Sequence, residues 1–166
     1  MKKVLRILFV MAFIIAYENA AHAAEMTQVQ ALFFGQFAYV DNSVARSIVI
    51  NPDDTVLYDD NILEGNIPAH RGEYELKDFP PNTILHTGVA IANPPTDGGV
   101  TLNNSSGMTL SGSETMTVSN FTTNNPQTDE NGDATLYIGA TMTTSGNNQK
   151  YDTGSYTGTY DITFYY

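Results

Sequence analysis

The sequence predicts an all-β protein, a single β-sandwich of about eight to nine strands. Three observations carry that expectation. Short segments alternate apolar and polar residues with the two-residue period of a strand. Clusters of Gly, Pro, Asn and Asp separate these segments. No window sustains apolar residues at the 3.6-residue spacing of a helix. The 166 residues include no cysteine, which excludes disulfide frameworks, thiolate metal sites and cysteine nucleophiles.

The N-terminus reads as an address. Lys2, Lys3 and Arg6 precede the apolar run 7–16, and Ala21-His22-Ala23 supplies the small residues of a cleavage site. Ten apolar residues fall short of the roughly 20 that a spanning helix requires, so a cleaved secretory signal over 1–23 is expected. The chain is then exported to the periplasm, cell surface or extracellular space, and residues 24–166 form one domain with no membrane insertion. Cleavage removes three of seven basic residues and one of eighteen acidic ones, so the net charge moves from −11 to −13. Such a surface repels nucleic acid and anionic lipid, because phosphate binding needs clustered Lys and Arg. A chain of this length buries roughly two-thirds of its unfolded surface, enough for one core without disulfides.

The expected strands follow in order. Residues 29–40 open the domain with Phe33, Phe34 and Phe37, which belong to the core although all three cannot share one face. Gly35 beside them permits a bulge or a close backbone approach. Apolar alternation then marks 47–50, 55–58, 73–79, 84–92, 99–102 and 115–121. Turns are expected at Pro80-Pro81-Asn82, Asn93-Pro94-Pro95, Asp97-Gly98-Gly99, Asn103-Asn104 and Asn131-Gly132, through fixed φ or tolerance of positive φ. Leu136, Ile138, Ala140 and Met142 define one strand, and Tyr156, Tyr160, Ile162, Phe164 and Tyr166 share one parity of the last. The polar link 144–153 between them places these two strands close together in one sheet.

The text from Leu136 to Met142, Gly154-Ser155-Tyr156-Thr157-Gly158-Thr159-Tyr160, and the ending Ile162-Thr163-Phe164-Tyr165-Tyr166 together resemble a bacterial secreted family, domain of unknown function 4402. Phe34-Gly35-Gln36-Phe37 and the segment from Met116 to Phe121 are similar to its other motifs, while residues 65–78 are more charged than that family usually is. The layout is similar to spore-coat-U-like proteins and archaic chaperone-usher pilins. The resemblance implies an immunoglobulin-like Greek-key sandwich that acts as a pilin-like or adhesion-related envelope protein, not as an enzyme. It also implies self-assembly, or capture by a periplasmic chaperone, through edge strands. The structural and assembly residues are then Phe34, Gly35 and Phe37 at the first strand and Tyr156, Tyr160, Ile162, Phe164 and Tyr166 at the last. Only residues 24–30 precede the first core strand, so a separate donor strand has little room, and a self-complete sandwich or a terminal subunit stays open.

Catalytic and ligand sites are sparse. His86 lies within an apolar strand and His70 in a loop after Pro68-Ala69, and no Gly-x-Ser-x-Gly frames a serine nucleophile. Asp53-Asp54, Asp59-Asp60 and the loop 129–133 offer hard oxygens for a structural calcium. The last departs from EF-hand spacing and reads as a hairpin turn, so no cofactor is expected. Tyr137, Tyr151 and Tyr165 are candidate platforms for a glycan, which gives the alternative function, a monomeric secreted polysaccharide-binding module.

Overall fold

A computed structural model describes residues 23–91, 100–104 and 114–166, and among them it is all-β with no helix. The signal-like segment 1–22 and the expected turns at Asn93-Pro94-Pro95 and Asp97-Gly98-Gly99 lie outside the described residues. The strands are β1 Glu25–Gln30, β2 Phe37–Tyr39, β3 Ser47–Ile50, β4 Val56–Tyr58, β5 Ile62–Glu64, β6 Gly72–Lys77, β7 His86–Ile91, β8 Val100–Asn104, β9 Met116–Thr123, β10 Ala134–Thr143, β11 Tyr156–Thr157 and β12 Tyr160–Tyr165.

One large antiparallel sheet runs β1-β6-β10-β9-β8-β11, and the β3–β4 hairpin joins it. Strand β10 organises this layer because its ten residues are long enough to take different partners along its length. Its first half pairs with β6, from Ala134 opposite Leu76 to Ile138 opposite Gly72, and its second half pairs with β3, from Ala140 opposite Ile50 to Thr143 opposite Ser47. β9 lies along its other edge, with a shift of register between Gly139 and Thr141. Glycine is required there, since a Cβ on Gly139 would stand 2.2 Å from the Ile50 carbonyl oxygen. Two short sheets face this layer, β7–β12 and β2–β5. The arrangement is that of a β-sandwich.

The core follows from the alternation. Tyr74 and Leu76 of β6 and Leu136 and Ile138 of β10 bury their side chains beneath Ile162, Phe164 and Val89 of the β7–β12 sheet. Ile48, Ile50, Met116, Val118, Ala140 and Met142 form a second buried group beneath Leu32, Phe34, Phe37 and Ile62. Phe121 packs against both groups and joins them. The outward residues of the same strands are polar, as Thr135, Thr141 and Thr143 of β10 illustrate.

Several expectations are corrected. The segment 29–40 is not one strand. β1 ends at Gln30, an isolated bridge ties Phe33 to His70, and β2 begins only at Phe37. The cause is Gly35, whose φ of +78° turns the chain so closely against residues 67–69 that a Cβ would lie 2.7 Å from the Ala69 amide nitrogen. Phe33 therefore leaves the core and lies against the His70 ring, with centroids 5.3 Å apart. The last strand is likewise two pieces: β11 pairs with β8 in the large sheet, and β12 pairs with β7 across the sandwich. Strands β10 and β12 consequently lie in opposite layers, not in one sheet. Asn103 and Asn104 sit in β8, opposite Thr157 and Tyr156, and make no turn. The turn at Asn131-Gly132 is found as expected, with Gly132 at φ +86°. The split of 29–40 into β1 and β2, the added β5 and the separate β11 raise the nine expected segments to twelve strands among the described residues.

Candidate functional site: an open strand edge and an aromatic cleft

The residues expected to carry assembly divide into two places. Ile162 and Phe164 point from β12 onto the core, and Phe164 meets Phe79 edge to face at 5.0 Å. Tyr166 lies past the end of β12, is 70% exposed, and touches Phe79 at 6.3 Å, so its expected burial is not observed. Among the described residues β12 pairs with β7 alone, with Tyr160 opposite Ile91 through Tyr165 opposite His86. Its second edge faces no strand among the described residues. At the far edge of the large sheet, β1 is the opposite case: it pairs with β6 along its length, yet five of its six residues stay exposed.

Phe34, Gly35, Phe37, Tyr156 and Tyr160 belong to a second feature, a cleft of about 960 Å³ between residues 31–40 and 150–160. Met116, Val118, Phe121 and Met142 from β9 and β10 form its floor. The walls are tied together at both ends. At one, the Tyr151 amide donates to the Tyr39 hydroxyl and the two rings meet edge to face at 5.2 Å. At the other, the Tyr160 hydroxyl is hydrogen-bonded to the Tyr74 hydroxyl at 2.7 Å and interacts with the Leu32 backbone. Burial is the main reason the Tyr160 phenol is held well above its ordinary range, and the hydrogen bond to Tyr74 adds to it. Burial raises Tyr156 as well, followed by the Asp152 charge.

The tyrosine hydroxyls of the cleft are occupied within the chain. The Tyr151 hydroxyl accepts from the Ser145 amide at 2.7 Å and donates to the Thr115 carbonyl at 2.8 Å, and the Tyr156 hydroxyl donates to the Asp152 carbonyl at 3.0 Å. Half-buried aromatic rings line the cleft together with Gln36, Thr153, Ser155 and Thr157, while Met116 and Met142 beneath the rings are almost wholly buried. Two charged side chains line it, exposed Lys150 at the mouth and half-buried Asp152.

One residue that shapes the cleft carries no sequence signal. Asn42 is 6% exposed, accepts from the Gly146 amide at 3.1 Å, and donates to Ser145 Oγ and to the Gln149 carbonyl, each at 2.9 Å. It fixes the loop that delivers residues 150–156 to the wall. A lone Asn in a polar loop looks like any turn residue, and only a contact spanning some hundred residues reveals this role.

The other sequence candidates remain apart. His70 interacts with the Arg71 carbonyl through Nδ1 at 3.2 Å, and His86 is exposed on β7. Among the described residues no three His, Cys, Asp or Glu side chains gather where they could hold a metal. The Asp53 and Asp129 carboxylates instead accept amides of their own loops, from Thr55 in one and from Asn131 and Asp133 in the other. These bonds lower the pKa of each carboxyl. Of the candidate glycan platforms, Tyr137 is covered by the Arg71 guanidinium at 3.6 Å, Tyr151 is built into the cleft, and Tyr165 stays 61% exposed.

No curated protein and no solved structure matches this chain. One family model, described as Domain of unknown function (DUF4402), matches residues 25–166, which takes in every described strand. The chain belongs to that family.

Proposed function

We propose that this chain is an exported, immunoglobulin-like envelope protein, pilin-like or adhesion-related, that acts by strand-mediated assembly and not by catalysis. One observation carries the reading: β12 pairs with β7 alone and leaves the amides and carbonyls of its second edge without a strand partner among the described residues. An incoming extended segment gains main-chain hydrogen bonds along such an edge, while the alternation of Ile162 and Phe164 against Asp161 and Thr163 fixes its register. The basic and apolar N-terminal residues support export.

The test is light scattering after size exclusion, with intact mass, on protein recovered after expressing the full chain. Discrete oligomers that resist denaturant are expected. A single monomer at every concentration would leave strand assembly without support. The second reading, polysaccharide binding, is favoured by the aromatic rings of the cleft. The internal use of its tyrosine hydroxyls weighs against it, because sugars are recognised through polar groups, and glycan-array hits would reverse that judgement.

A further inference from the structure

We infer that a second copy of this chain fits the open edge of β12 in a reciprocal lap joint, in which each copy's β12 pairs with the other's β1. The inference rests on the reading that β12 mediates assembly, and it adds the partner, the strand and the orientation. Its first support is a step in the sandwich. Residues directly opposite in an antiparallel pair point to one face, so Met26 opposite Leu76 and Gln28 opposite Tyr74 lie on the core side of the large sheet. Leu76 and Tyr74 are 1% and 7% exposed beneath Ile162 and Phe164, whereas Met26 is 43% exposed and Gln28 is exposed as well. The β7–β12 layer therefore ends above β6, and β1 projects one strand beyond it. Ile162 and Phe164 show the same gap from above, since both face the core and both remain only half-buried. The far side of β7 is no such place. There the Leu85 amide donates to the Pro126 carbonyl at 2.9 Å and the Thr87 amide to Asn125 Oδ1 at 3.4 Å.

The second support is that the step is its own complement. A two-fold axis parallel to β1 and midway between the layers makes one copy's large sheet continue the other copy's β7–β12 layer. The second copy's β1 then lies above the first copy's β1 and beside its β12, and the reverse holds below. Direction agrees with this. The Tyr160 hydroxyl meets that of Tyr74 at 2.7 Å, and Phe164 and Tyr166 meet Phe79, so β12 runs with β6 and against β1. The two new strand pairs are therefore antiparallel. Parity agrees too, because Met26 and Gln28 of one copy and Ile162 and Phe164 of the other all face the shared core. Two strand edges that lack a partner among the described residues gain main-chain hydrogen bonds in each copy. Pairing β12 with a second β12 fits worse. With both cores on one side, each copy's projecting β1 would occupy the place of the other's β6.

The experiment uses protein obtained from the full chain, which has no cysteine, so engineered thiols report alone. Thr27→Cys and Thr163→Cys are made in separate chains, mixed, and treated with a short bismaleimide. A covalent dimer holding one of each is expected. Within one copy the two positions lie on opposite outer surfaces of the sandwich, so the link reports the joint. Light scattering at about 1 M sodium chloride, where repulsion is screened, gives the second readout. Met26→Asp should weaken dimerisation at least about tenfold, because the joint buries its carboxylate, while Val29→Asp, which adds the same charge at the bulge of β1, should change it less than about threefold. Neither should alter the melting of the monomer, since both side chains are exposed in a single copy. β1 fixed to β6 by a disulfide between Thr27→Cys and Glu75→Cys should still dimerise, because β1 keeps its place. Cross-linking of Thr163→Cys to itself, oligomers that persist in Met26→Asp, or their loss once β1 is fixed would overturn the joint and leave assembly through β12 standing. A parent chain that stays monomeric at about 1 M salt would overturn both.

Discussion

Gly139 is the residue on which the large sheet turns most directly. It stands in the middle of β10, and a Cβ there would meet the Ile50 carbonyl oxygen at 2.2 Å and Asn51 backbone at 2.9 Å. Backbone atoms cannot swing aside as a side-chain tip can, so Gly139→Ala must push β3 away from β10 or bend β10 itself. A loss of about 2–3 kcal/mol is expected, read as a lower denaturation midpoint with little change in its slope. The buried pair of Tyr74 and Tyr160 makes a different single-residue prediction. Because the folded state holds the Tyr160 phenol above its unfolded value, its contribution is complete below about pH 10 and is lost as pH rises further. Tyr160→Phe should cost about 1–2 kcal/mol near neutrality, by orphaning the buried Tyr74 hydroxyl, and should flatten the alkaline fall in stability. Asp129 works in the opposite direction. Its pKa is depressed by the Asp133 and Asn131 amides, so its contribution is present above the ordinary carboxyl range and disappears as pH falls through the folded value. An acid titration of Asp129→Asn beside the parent protein, followed by circular dichroism, should show a shallower acid limb.

Strands β1 and β12 are both edge elements, yet they are held by different forces. β1 is attached by main-chain pairing to β6, with Met26 and Val29 at 43% and 55% exposure, while Ile162 and Phe164 of β12 pack onto the core. Deleting residues 25–30 should therefore leave a folded protein with a modestly lower melting temperature. Replacing Ile162 and Phe164 with Asp should abolish soluble folded protein, because two carboxylates would be forced against Leu136 and Ile138. Recovery of folded double variant would show that the β12 register is wrong. The same contrast explains what the sequence made legible. Strands β3, β6, β9 and β10 were readable because each buries one face, an alternation broken only where β9 and β10 shift register near Asn120 and Gly139. β1 and β5 show almost no burial pattern to read, since β1 is nearly all exposed and β5 has one buried residue, Ile62. The run from Tyr156 to Tyr166 keeps its aromatic parity straight through Gly158, so the pattern hides the place where the chain leaves the large sheet for the opposite layer. For the candidate sites the limit was distance. Phe34, Phe37, Tyr156 and Tyr160 were singled out individually, but that they line one cleft depends on contacts between chain segments more than a hundred residues apart.

At the scale of the whole molecule, charge and strand edges oppose one another. The chain carries 18 acidic residues against 7 basic ones, so two copies approaching through any surface repel before they touch. Main-chain hydrogen bonds along the open edge of β12 act only at contact and depend little on ionic strength, whereas repulsion between exposed charges reaches about 10 Å at 0.1 M salt and about 3 Å at 1 M. Assembly through that edge should therefore strengthen as salt is added, the reverse of an association built on opposite charges. The check is light-scattering mass at fixed protein concentration from 0.05 to about 1 M sodium chloride. Oligomer growth with salt is expected, and Lys150→Glu, which lies outside β12 but makes each copy two charges more negative, should weaken assembly at low salt and lose that effect near about 1 M. A decline in oligomer mass with salt would point to paired charges at the interface, and the open edge of β12 would no longer account for how copies of this chain meet.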